Sequence, residues 1–425
     1  MSHEIVELRE YPLRRLDGMP RGVLLAAALL ALLGLLIFIV ALATDADRAW
    51  RAYLYNWIYF AGIAQGAVLL AVVVSITRGV WSRPIRRIAL SFVAFLPIAY
   101  LILFPPILFF AEHIIPWIQE GAEGQEAYLN MPFLAARNLL SLAALLVLSL
   151  AFAYWQLRPD LGLARAEGWT GLDRFTRGWT NQELEEERAS RNMGRLGPAV
   201  ALVFVLAYSF VAIDLVMSLD RHWLSMLIAP YVFMAAFLGG IAATVVLILI
   251  YRRHLTLHEY VERATLHDLG KLLFGYCVFW AYLFWSQYIV IWYGNLPYEQ
   301  VFLIRLVQEP YLGLSLLVLF SLFVLPFFGL LGARPKKSPA ILGGFALLVL
   351  AGLWIERYLL IYPTLYPDVE TLVLGLPELG VGLLMLGLLM ASVAWFGTRY
   401  PLMQAWQPAT EIELLGVGVE EEPAP

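Results

Sequence analysis

Ten runs of 18 or more mostly apolar residues, separated by shorter polar stretches, dominate the chain: 22–44, 51–76, 88–111, 134–155, 197–219, 227–251, 271–293, 308–332, 339–362 and 376–397. A helix rises about 1.5 Å per residue, so ~20 apolar residues cross the ~30 Å hydrocarbon core of a bilayer. The runs lack the period-2 alternation of membrane strands, and lipid tolerates only helices or closed barrels. The pattern predicts an all-α integral membrane protein of ten transmembrane helices. The first run, GVLLAAALLALLGLLIFIVALA, has no polar side chain and is expected to face lipid or a partner's helix. Pro105-Pro106 predict a kink near the end of the third run.

The polar stretches orient the spans. Of 29 Lys and Arg, 23 fall in 1–21 and the stretches on the same side of the bilayer, including 156–196 and 252–271. The positive-inside rule then places both termini of this multi-pass protein in the cytoplasm. Three regions follow: a cytoplasmic N-terminal segment 1–21, a transmembrane domain 22–397 with a cytoplasmic loop 156–196, and an acidic cytoplasmic tail 398–425. Within the loop, 181–195 is polar on nearly every face and reads as a short cytoplasmic helix or docking surface.

Composition agrees: 61% hydrophobic residues, 15% charged, mean hydropathy +0.74. At a net charge of −4 nothing suggests a nucleic-acid surface, and no nucleic-acid partner is expected. The single cysteine, Cys277, reads as a small buried hydrophobe. None of the six histidines falls at mid-span, which argues against a bis-His haem. His254 and His258 are spaced i, i+4, but no clear third metal ligand accompanies them. No cofactor is assigned to this chain.

Intramembrane polar residues mark pathways or hold helices together. They concentrate in the outer half. Asp214 lies about 9 Å inside the outer end of the fifth span, with Ser218 one turn on and placed to hydrogen-bond it. Gln65 sits mid-span in the second, Gln287 and Tyr288 in the outer half of the seventh, and Glu309 at the outer start of the eighth. Glu356 and Arg357 lie in the outer third of the ninth; sequence neighbours point apart on a helix, so they are not expected to pair. Asp220, His222, Glu112 and His113 form the candidate outer mouth. His267, Asp268, Lys271, Tyr276 and Thr244 are inner-side candidates that also suit interfacial anchors. The inner halves are otherwise nearly pure Leu, Val, Ala and Phe. Three readings stay open: structural ion pairs, for example Arg357 with Glu309 or Asp214; a proton path in which Asp214 or Glu356 exchanges protons; or a polar headgroup site.

Two stretches carry a resemblance. SFVAIDLVMSLDRHWLSMLIAPYVF holds the pattern D-x-x-M-S-L-D-x-H-W, met by Asp214, Met217, Ser218, Leu219, Asp220, His222 and Trp223. The second, HDLGKLLFGYCVFWAYLFWSQYIVIWYGNLPYEQ, matches H-D-L-G-K-L-L-F at 267–274, F-W-A-Y at 279–282, S-Q-Y at 286–288 and I-W-Y-x-N-x-P at 291–297. Over about 205–310 the chain resembles the ActF-type members of the NrfD-like (polysulfide-reductase-type) family. These are membrane subunits of alternative complex III, a quinol:cytochrome c oxidoreductase. Leu215 stands where the family tends to have an aromatic, and Tyr298 where it often has an acidic residue. Gln287 stands near the place of a Glu in the sister subunit, ActC, which carries the quinol site.

The resemblance implies two four-helix bundles of NrfD type plus flanking helices. It implies partners: ActC, an iron–sulfur subunit, multihaem c-type cytochromes and, in some cases, a terminal oxidase. Haem c, iron–sulfur clusters and quinone would belong to those partners, and this chain would be a non-catalytic or proton-translocating subunit. The alternatives are a quinol-binding NrfD-type anchor of another iron–sulfur oxidoreductase and a secondary transporter.

Overall fold

The computed structural model describes residues 11–406, except Glu123, Arg221, His222, Thr256 and Asp368, and at Tyr298 the backbone alone. Among the described residues ten helical segments are long and apolar enough to cross a membrane, one for each apolar run. They are α1 (Arg21–Thr44), α2 (Ala46–Ile76), α3 (Val80–Phe109), α4 (Met131–Ala166), α5 (Gln182–Leu219), α6 (Ile228–His254), α7 (Arg263–Gly294), α8 (Leu312–Gly329), α9 (Pro339–Leu365) and α10 (Leu376–Arg399).

Helix α2 is the axis, buried along most of its length and packed on α1, α3, α5, α6, α9 and α10. It crosses α6 closely because both are small at the contact. A Cβ on Gly66 would run into the Ala236 backbone, and one on Gly240 into the Gly66–Ala67 backbone. In a bilayer, where apolar burial gives helices no mutual preference, such backbone approach supplies the packing energy. Helix α1 is the least buried span, as its composition predicts; it lies along α10 through Ala27 and Gly34, and Phe38 packs on Trp50 and Tyr53 of α2. Other neighbours are α4 with α5, α5 with α6, α6 with α7 and α9, α7 and α9 with α8, and α3 with α4, α6 and α10.

Two spans are broken. In α3 an α-turn gives way to a 3-10 turn, a π-turn at Ile98–Ile102 and a short α-helix at Pro105–Phe109. Pro97, Pro105 and Pro106 cannot donate to the ladder. In α8 a π-turn spans Phe320–Val324, just before Pro326.

Two other spans run long. Helix α4 has 36 residues, about 54 Å, and the α-helical part of α5, Gln182–Leu215, has 34. The expected loop 156–196 therefore shrinks to the residues between Ala166 and Gln182, and 182–195 continues the fifth span rather than forming a separate helix. Asn181 starts α5 by accepting a hydrogen bond from Leu184 N at 2.9 Å. Pro198 lies inside α5 after Gly197.

The chain segments flanking the bundle gather at one end. Leu16 N bonds Gly397 O, Leu402 N bonds Arg14 O, and Leu402, Met403 and Trp406 are buried. Residues 400–406 are thus packed against the bundle, while the acidic remainder of the tail lies outside the described residues.

Candidate functional site

Asp214 closes the last turn of α5 with no solvent exposure. Two neighbours on α4 bind it. Arg137 donates from Nε to Oδ2 at 2.7 Å and from Nη2 to Oδ1 at 2.6 Å, and Asn138 Nδ2 donates to Oδ2 at 2.5 Å. Arg137 is itself held: Nη1 donates to Tyr128 O at 3.1 Å, and the guanidinium lies 3.8 Å from the Tyr128 ring centroid. Tyr128 sits in the connection before α4, where burial, and after it the nearby Asp214, push its phenol up to about 12.

The expected bond from Ser218 to this carboxyl is not made. The α-helix ends at Leu215, and Ser218 in the following 3-10 turn donates to the Asp214 carbonyl oxygen at 2.6 Å. It satisfies a helix-end acceptor instead, and accepts from Trp117 Nε1 at 3.3 Å. The side-chain donors to Asp214 come from α4 rather than from Gln287 and Tyr288 on α7; Tyr288 stacks on Trp285. Arg137 was not singled out from the sequence, although it is the only charge within the fourth apolar run and so required a counter-ion.

Glu356 and Arg357 are 2% and 3% exposed on α9. Contrary to expectation they approach, Arg357 Nε to Glu356 Oε2 at 3.4 Å. Flexible side chains curl toward each other where nothing else nearby carries opposite charge. Arg357 Nη2 donates to Val232 O at 3.1 Å. Neither Glu356 oxygen has a hydrogen bond among the described residues, nor has Arg357 Nη1. Tyr231 of α6 interacts with both Glu356 and Trp280. Arg357 pairs with neither Glu309 nor Asp214. Glu309 lies exposed in the turn before α8.

Gln65 sits at the centre of a third buried group. Its Nε2 donates to Ser149 Oγ on α4 at 3.1 Å, and its Oε1 accepts from Tyr100 OH in the π-turn of α3 at 3.1 Å. Tyr100 OH meets Tyr208 OH on α5 at 3.2 Å. Arg357 is within electrostatic reach of Tyr208. A hydrogen-bonded track therefore runs through the apolar interior from Ser149 through Gln65 and Tyr100 to Tyr208; Arg357, Glu356 and Tyr231 form a separate buried group. Of the four track residues Gln65 alone was legible beforehand, because tyrosines in apolar runs look like interfacial residues until the break in α3 turns Tyr100 inward.

Three of the four mouth candidates, Asp220, Glu112 and His113, come together. Asp47, Arg51, Glu112, His113, Asp220 and Arg305 line an open cavity of about 390 Å³. His113 Nδ1 lies 2.6 Å from Asp47 and Nε2 3.9 Å from Glu112; Arg305 lies 3.6 Å from Asp220. His222 falls outside the described residues. At the same end Glu378, unremarked in the sequence, takes both arms of Arg48 at 2.8 Å, Tyr362 OH at 2.8 Å and Gly375 N at 2.7 Å.

At the opposite end, beyond the apolar runs, lie buried ion pairs that the sequence reading did not single out. Arg87 and Asp160, both fully buried, pair at 2.9 Å, and Asp160 accepts from the backbone of Ala405 and Trp406. Arg158 pairs with buried Glu185 at 2.5 Å. Arg158, Asp160 and Glu185 sit on the extensions of α4 and α5, which the sequence reading assigned to a loop, and Arg87 sits near the start of α3. The inner-side candidates behave as surface groups: Lys271 pairs with Asp268 at 2.6 Å, His267 is half-buried, and Tyr276 packs edge-on against Phe237. Thr244 donates to its own helix, to Gly240 O at 2.7 Å.

No family model matches the chain, and no curated protein matches it.

Proposed function

We propose that this chain is an ActF-type membrane subunit of a bacterial respiratory quinol:cytochrome c oxidoreductase, and that it contributes a proton path centred on Glu356. Support for membership comes from the two motifs, and from helix pairings compatible with α2–α5 and α6–α9 as two four-helix groups flanked by α1 and α10. The observation that carries the path is Glu356: a fully enclosed carboxyl with buried Arg357 3.4 Å away and Tyr231 beside it, in the same interior as the Ser149–Tyr208 track. Burying a charge is costly, so a carboxyl so placed exchanges its proton once water bridges it to Tyr231 or Tyr208. Asp214, with three donors and a fixed counter-ion, becomes the structural anchor.

Haem c, iron–sulfur clusters and quinone belong, in this reading, to the sister ActC-type subunit and the other partners. Purification in mild detergent tests membership: c-type haem subunits copurify with the chain. A colourless chain eluting alone removes the reading.

A secondary transporter is the second reading, favoured by interrupted spans at α3 and α8, corresponding positions in two halves of five. Against it, α8 adds no side chain to the track; Ser321 in its π-turn bonds Val318 O. Substrate uptake by the chain alone in liposomes would establish it.

A further inference from the structure

Three cavities meet at one residue, His254, at the last turn of α6. The largest, about 570 Å³, is an apolar slot between the strap before α1, α2, α6, α9 and α10, running from Leu16 past Phe60 and Ile63 to Leu389. A second apolar groove of about 310 Å³ lies on another side of α6, toward Gly343. The two share Ile250 and Leu347, whose 45% and 57% exposure marks a rim open to the surroundings of the bundle. The third, about 490 Å³, is polar and basic, lined by Arg14, Arg15, Asp17, Trp169 and His254. His254 lines all three.

Two apolar channels joined to one cationic pocket have the shape of a diacyl lipid with an anionic headgroup. We infer that this junction binds an anionic phospholipid, one acyl chain in each groove and the phosphate among Arg15, Arg253 and His254. The depth is right: α6 ends, α1 begins and α9 begins at this level, so the basic pocket lies where headgroups lie and the grooves run inward from it. The cations are preset. Arg15 lies 4.0 Å from the Trp169 ring centroid, and Arg14 donates to Leu255 O at 2.8 Å. Arg253 is exposed beside His254. One acidic side chain, Asp17, lines the pocket, leaving net positive charge to meet a phosphate. The slot is apolar along most of its length: Asp17, Tyr251 and His254 lie toward its basic end, and the Tyr59 hydroxyl already donates to Leu350 O at 2.8 Å. Basic pockets between helices are a known form of headgroup recognition. This inference is independent of the proton path.

The test is native mass spectrometry of the full chain, with whatever subunits accompany it, titrated in detergent with dioleoylphosphatidylglycerol and with dioleoylphosphatidylcholine. Wild type is expected to retain phosphatidylglycerol selectively. Arg15→Gln with Arg253→Gln is expected to weaken that binding roughly thirtyfold while phosphatidylcholine binding stays unchanged. Leu347→Trp, at an exposed rim position, blocks the grooves and lowers binding of both lipids without unfolding the chain. Equal binding of the two lipids by wild type, an unchanged affinity in the arginine variant, or selective retention of quinone instead of phospholipid overturns the inference.

Discussion

Arg137 and Asp214 face each other across the α4–α5 contact as a bidentate, fully enclosed ion pair, with both carboxylate oxygens engaged. Removing one partner strands the other charge. Asp214→Asn is expected to cost ~3–5 kcal/mol, read as a fall in detergent thermal stability and yield. Arg137→Met with Asp214→Leu recovers most of the loss, because a well-packed apolar pair replaces the ionic one. If the double variant is as unstable as the single, the pair does more than hold two helices.

Glu356 makes a second prediction. Glu356→Gln keeps the shape but removes the counter-charge of buried Arg357, 3.4 Å away. It is expected to cost ~3–5 kcal/mol of stability, while protons translocated per electron by the complex in proteoliposomes fall, with quinol oxidation retained. An unchanged ratio takes Glu356 out of the path.

Tyr100→Phe interrupts the track between Gln65 and Tyr208. Each lost hydrogen bond is worth ~1 kcal/mol. The variant should remain folded yet lower the proton ratio as Glu356→Gln does. Gln65→Leu strands two hydroxyls at once and is expected to destabilise more than Tyr100→Phe. Melting of the two variants in the same detergent ranks them, and the reverse order contradicts the bonding described.

Gly66→Leu is expected to prevent folding, because the Cβ alone already meets backbone that cannot withdraw. Gly344→Leu, where nothing lies within 4 Å of a Cβ, serves as its neutral counterpart. Membrane-inserted yield separates the two; similar yields contradict the close α2–α6 crossing.

Asp160→Asn isolates the buried Arg87 and weakens the acceptors of Ala405 N and Trp406 N. Residues 400–406 should then become accessible, and limited proteolysis near Tyr400 should speed up by an order of magnitude or more. Unchanged cleavage shows that Leu402 and Met403 hold the segment by themselves.

The spans were legible because bilayer thickness imposes one length on every apolar run, and all ten runs became helices. Partnership was less so. Asp214 was visible as an odd carboxylate, but Arg137 lies 77 residues away, and only the α4–α5 contact brings them together. Glu185 and Asp160 were hidden for a different reason: hydropathy ends where lipid ends, whereas a helix continues for as long as its backbone bonds are protected. The Tyr100–Gln65 link depended on the π-turn in α3, whose position the prolines hint at but whose rotation they do not specify.

The continuity of α5 has a mechanical meaning. One rod carries Glu185, locked to Arg158, at one end and Asp214, locked to Arg137, at the other; both arginines stand on α4. The helices are therefore riveted together at two points and cannot slide. What freedom remains is bending between the rivets, and Gly197–Pro198, where the backbone ladder lacks a donor, is the fulcrum. A load applied to the protruding end of α5 would reach Tyr208 as a tilt about that point, not as a shift along the axis.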